Sequence, residues 1–193
     1  MKKNIAVWEI AGFFFVLIFG SLLHYAFELS GFWKPVALVA AVNESTWEHL
    51  KMVFWPGLFF FTAQYYFLRN MAYANRFWCA KATCLFLMPL IIAVGWYAAI
   101  GFLGENIFAV NIILFVAAII IAQLVSYLIL TNKISTFIRH KSAIVVILLL
   151  TLAFATLTYL PPKIFLFEHM DLENTGQYGI LASYKDLLIF GGS

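Results

Sequence analysis

Nine consecutive residues concentrate groups that could do chemistry: Asn43-Glu44-Ser45-Thr46-Trp47-Glu48-His49-Leu50-Lys51. They place two carboxylates, an imidazole and an ammonium in a chain that is 64% hydrophobic and only 11% charged. Imidazole and carboxylate together suit a divalent metal such as zinc. The metal-ligand candidates are His24, Glu44, His49, His169 and Asp171. Glu48 is the candidate catalytic base that would take a proton from a metal-bound water. Without a metal, the same region could hold a small polar solute or a lipid headgroup, because a helix starting near Ser45 offers free amide donors and partial positive charge. The ligand-binding candidates are then Glu44, Ser45, Glu48, His49, Lys51 and His24.

Spacing qualifies these assignments. Ser45 and Glu48 stand at N-cap and N3 of a capping box. On a helix, Glu44, Glu48 and Lys51 share one face and Ser45 and His49 the next, so Glu48 and His49 point about 100° apart. No His-Glu-x-x-His motif is present. A structural reading accounts for each residue singly: Ser45 and Glu48 cap the helix, Lys51 pairs with an acid, His24 pairs with Glu28, His49 bonds a carbonyl, and Trp47 anchors at a membrane interface. Against it stands the number of ionisable groups gathered at one helix start beside hydrocarbon, where polar groups are costly.

The elements that must position these residues follow from composition. A soluble domain carries about 25% charged residues; this chain has less than half of that, in long apolar blocks. The fold class is an all-α polytopic membrane protein, one domain over residues 1–193. A β-barrel would need short alternating segments. The apolar blocks predict spans at 5–27, 46–68, 77–102, 106–130 and 142–160. A short interfacial or re-entrant helix is expected at 35–42, too short for the ~30 Å hydrocarbon core, and a tail at 161–193. Pro56 and Pro89 predict irregularities in the second and third spans. Lys81 is expected to snorkel. Asn111, Gln123 and Ser126 are expected to hydrogen-bond between helices. Cys79 and Cys84 read as small core residues.

Five spans put the termini on opposite sides. Eight of the twelve basic residues then fall on the N-terminal side: Lys2, Lys3, Arg69, Arg76, Lys81, Lys133, Arg139 and Lys141. The positive-inside rule makes that side cytoplasmic in a bacterial inner membrane and the tail extracytoplasmic. Every acid except Glu9 falls on the outer side, with His24, His49 and His169. Basic residues at span ends exclude a nucleic-acid surface and imply the lipid bilayer as partner. Three functions remain open. The first is binding or transport of a small polar or lipid headgroup ligand, alone or with partner membrane subunits. The second is a zinc-type membrane hydrolase acting on a lipid or lipid-linked substrate. The third is a structural polar cluster.

The phrase Asn43-Glu44-Ser45-x-Trp47-Glu48-His49-x-Lys51, following a span that ends in His24, resembles the DUF6512 type. So do Pro161-Pro162, Leu166-Phe167 and Gly176-x-Tyr178-Gly179 in the tail. That family comprises small bacterial membrane proteins, found mainly in Firmicutes, of unknown activity. The resemblance covers most of the chain. It implies a multi-pass architecture and no particular reaction.

Overall fold

A computed structural model describes residues 2–69, 74–136, 139–170 and 176–180. Its helices are α1 (Lys2–Leu29), α2 (Thr46–Leu68), α3 (Ala74–Leu103), α4 (Phe108–Leu130) and α5 (His140–Thr156), with short 3-10 helices at Lys34–Leu38 and Phe165–Phe167. Among the described residues the only β contact is an isolated antiparallel bridge between Glu168 and Tyr178. The fold is all-helical, as the apolar blocks predict.

Three helices are long and apolar enough to cross a membrane: Lys3–Leu29, Arg76–Leu103 and Phe108–Leu130. The other two expected spans differ for separate reasons. The helix α5 has 17 residues, about 25 Å of rise against a hydrocarbon core of ~30 Å. The helix α2 has 23 residues but carries Glu48, Lys51 and Gln64, all buried. It packs against α1, α3 and the second 3-10 helix, and Glu48, Lys51 and the Gln64 amide nitrogen find hydrogen-bond partners within the protein. Both α2 and α3 run unbroken through Pro56 and Pro89.

Two local devices bring α1 and the start of α2 together. The first is the end of α1. Gly31 N–H donates to Glu28 O at 2.9 Å and Phe32 N–H to Phe27 O at 3.0 Å. With Gly31 at φ 67°, this is a Schellman stop, and the Phe27 and Phe32 rings meet edge to face at 5.6 Å. The second is Gly20. A Cβ there would lie 2.4 Å from the Met52 carbonyl oxygen, so any larger residue would push α1 off α2.

The predicted helix at 35–42 is shorter than expected, a single 3-10 segment over Lys34–Leu38. Within and past it, backbone groups serve other partners. Ala41 N–H donates to Leu23 O at 3.3 Å, while Ala37 O and Val42 N–H bond the side chains of Lys51 and Glu48.

Two further expectations are corrected by burial. Trp47 is no interface anchor. It is buried, stacked between Phe154 at 4.5 Å and Phe167 at 4.6 Å, and so joins α2, α5 and the tail. Lys81 does not snorkel. Its ammonium is fully buried and lies 2.7 and 2.9 Å from the Glu9 carboxylate oxygens and 3.0 Å from Ser126 Oγ. Gln64 Nε2 adds a bond to Glu9 at 3.3 Å. An ammonium at that depth is tolerated because a carboxylate and a hydroxyl meet it there.

A candidate metal and ligand site at the start of α2

The helix α2 begins at Thr46, with Ser45 as N-cap at φ −75° and ψ 153°. Ser45 Oγ accepts from Glu48 N–H at 3.4 Å, half of the predicted capping box. The reciprocal half is absent, because Ser45 N–H donates to Asn43 Oδ1 at 2.8 Å. The turn this makes leaves Glu44 ahead of the helix. Glu44 therefore does not share a face with Glu48 and Lys51, and the nine-residue stretch divides into two sets.

One set turns inward. Lys51 and Glu48 are buried and paired at 2.5 Å. Glu48 accepts from Thr158 Oγ1 at 2.7 Å and from Val42 N–H at 3.1 Å. Lys51 donates to Thr158 Oγ1 at 2.9 Å and to Ala37 O at 2.8 Å. Thr158, in the turn after α5, gives a proton to one ion and a lone pair to the other. Nearby, Tyr159 Oη donates to Lys34 O at 2.7 Å. Sequence reasoning missed Thr158. Its position just before Pro161-Pro162, at a helix end expected on the same side of the membrane, was the available signal. With these partners, Glu48 and Lys51 are committed to each other and to the loop.

The other set faces outward. Glu44 Oε2 lies 3.3 Å from His49 Nε2, and Glu44 Oε1 lies 3.8 Å from His24 Nε2. One ligand atom from each of His24, Glu44 and His49 can be chosen so that all lie within 4.8 Å of one another. At zinc bond lengths, tetrahedral ligand atoms stand about 3.4 Å apart, so small side-chain rotations suffice to close on an ion. His49 Nδ1 is 2.8 Å from Ser45 O. With Nδ1 donating there, in the outer-shell bond that orients ligating imidazoles, Nε2 is the ring nitrogen turned to Glu44 and to an ion between them. His24 Nδ1 is buried without a hydrogen-bond partner, as a group awaiting a ligand or water would be. The His49 imidazole beside Glu44 holds its carboxyl below the usual carboxylate range.

The tail supports this set from above. Glu44 N–H donates to His169 Nε2 at 3.4 Å, and Asn43 Nδ2 donates to Gly179 O at 2.6 Å. His169 thus folds over the motif as expected, but bonds the Glu44 backbone and stands outside the ligand group. Asp171 lies outside the described residues. Glu28, the expected partner of His24, is exposed, and the carboxylate beside His24 is that of Glu44.

The outward set opens into a cleft of about 590 Å³ between the ends of α1, α2, α3 and α4. Its polar end includes His24, Glu44, His49 and Asn106, and its wall Leu17, Ile92, Leu114 and Phe115. Asn111, expected to bond between helices, instead donates to Asn106 Oδ1 at 2.8 Å within this cleft. A larger groove of about 790 Å³ is lined by Leu58, Phe59, Trp78 and Ile147. Of its three hydroxyls, those of Thr62 and Thr151 bond their own helix backbones and the third is on the exposed Tyr66, so no cluster of polar groups converges there.

Fold and site together define an all-helical protein with helices of membrane-crossing length and a cleft at one end of the bundle that carries the His24–Glu44–His49 cluster. The chain belongs to DUF6512, a family of unknown function, which it matches over residues 1–180. No curated protein and no solved structure matches it.

Proposed function

We propose that this chain is a five-span inner-membrane protein that binds a divalent, zinc-type ion at its extracytoplasmic end. His24, Glu44 and His49 supply three ligands, and the open position presents the ion to a small polar or headgroup ligand in the cleft. The convergence of those three side chains at the mouth of the cleft carries the reading. Mixed nitrogen and oxygen donors suit zinc, and three protein ligands leave a position for an exogenous group. The five-span topology draws on the sorting of charge: basic residues at one end, nearly all acids at the other. In that topology α2 crosses packed against α1 and α3, with Phe59, Tyr66 and Phe67 on its exposed face, and α5 is extended by the turn at Leu157–Leu160.

Binding is favoured over hydrolysis. A hydrolase needs a base on the metal-bound water. Glu48, the sequence candidate, is held by Lys51, Thr158 and Val42 N–H, and Glu44 is spent as a ligand.

The test is metal content of the purified full chain after equilibration with zinc and removal of excess. About one ion per chain is expected, lost in His49→Ala and in Glu44→Gln. Retention of the ion by both variants would sink the proposal.

A further inference from the structure

We propose that the cleft takes a single-chain anionic amphiphile, its oxyanion head on the open metal position and its hydrocarbon body along the apolar wall. This rests on the metal reading above. Four observations carry it.

The first is charge. A divalent ion, the Glu44 carboxylate and two neutral imidazoles sum to one positive charge, which an anion neutralises. Glu28, the other acid near His24, is exposed and its field is screened by salt. Asn111 donates to Asn106 Oδ1, which leaves the Asn106 amide N–H groups available to a second head oxygen.

The second is the lining. The polar groups sit at one end, and below them the wall is hydrocarbon: Leu17, Ile92, Ile112, Leu114 and Phe115. A free inorganic anion would satisfy the head and leave this wall facing a void or unfavourable water.

The third is depth. His24 and Leu17 both line the cleft, and they are separated by about 10 Å along α1. A cleft of about 590 Å³ lies within the usual range for enclosing a small organic molecule.

The fourth is the rim. Tyr25 is 58% exposed, Phe108 77% and Ile112 48%. These residues lie on α1 and α4, two helices apolar enough to cross a membrane. An exposed apolar rim on such helices meets acyl chains, so an amphiphile can enter sideways with its head at headgroup level.

The test uses the full chain in zwitterionic lipid nanodiscs loaded with cobalt(II), whose visible spectrum reports exchange at the open position. Acetate, butanoate, hexanoate and octanoate are titrated, alongside inorganic phosphate and butyl, hexyl and octyl phosphate. In at least one head series the spectrum is expected to change saturably. The half-saturating free concentration should fall about fourfold per added methylene, then level off once the cleft is filled. Ile112→Trp, on the wall and away from the ligands, should keep the cobalt spectrum but abolish the chain-length gain. That control separates a body held in the cleft from one merely concentrated by the bilayer.

A spectrum that responds equally to short and long members overturns the amphiphile and leaves the metal site standing, occupied by a free anion. So does a chain-length gain that survives Ile112→Trp. Failure of the wild-type chain to bind cobalt at all removes the metal reading and this one with it.

Discussion

Two acid–base clusters arise from the same short stretch and differ in almost every physical respect. Glu48 and Lys51 are sealed, directly paired, and bonded to two backbone groups and a threonine. Glu44 and His49 are partly exposed, joined by His24 from another helix, with distances that leave room between them. The sealed cluster resembles the Glu9–Lys81 pair near the other end of the bundle, which is also buried and completed by a hydroxyl. Groups whose hydrogen-bonding capacity is filled have little left for a ligand. Groups that are close but incompletely partnered can close on one. Completeness of bonding therefore separates the architectural pairs from the binding set, although both are made of the same residue types.

Removing Lys51 should have the largest effect. Lys51→Met leaves Glu48 buried and unpaired, at a cost of about 3–5 kcal/mol, read as a large loss of thermal stability in detergent. Glu48→Gln with Lys51→Met should recover much of it, since no buried charge remains. If Lys51→Met were as mild as a surface change, the contrast between the clusters would break. Thr158→Val should follow, because it strips a donor from Glu48 and an acceptor from Lys51. About 1–3 kcal/mol is expected, with metal content unchanged.

His49→Ala should invert that pattern: zinc affinity lost, stability of the metal-free protein altered by about 1 kcal/mol or less. Asn43→Ala should be milder on both axes. It releases the tail from the motif and loosens the support of Glu44, lowering zinc affinity about tenfold, the lower end for an outer-shell partner.

The smallest effect is on pH dependence. The Glu44 carboxyl is held below its usual range in the folded protein. Its stabilising contribution is thus present above the unfolded value of about 4.3 and is lost as pH falls through the depressed folded value. In metal-free protein, Glu44→Gln should therefore melt slightly lower than wild type at neutral pH, converge with it in acid below the depressed folded value, and show a flatter acid limb in between.

Much of this architecture is legible in the sequence because it depends on local pattern. The apolar blocks mark the helices, Gly31 and Pro35 mark the break after α1, and the nine polar residues mark the site. What was not legible depends on partners far along the chain. Glu48 meets Thr158 across 110 positions and Lys81 meets Glu9 across 72, and no periodicity announces either. The face assignment of Glu44 failed for a smaller reason. It assumed a helix already running at residue 44, whereas the Asn43–Ser45 hydrogen bond delays its start by two residues. One turn of backbone decided whether Glu44 joined the buried lysine or the histidines.

Thr158 also bears on how the protein is made. In the five-span topology, α2 leaves the ribosome long before residue 158 exists. Glu48 and Lys51 lie in the first two turns of α2, and the residue that completes the bonding of both comes last. During synthesis, then, the start of α2 is without its Thr158 partner until α5 has followed. Biogenesis would therefore end, rather than begin, with the seating of the second helix, and the binding cleft beside it would be the last part of the molecule to take shape.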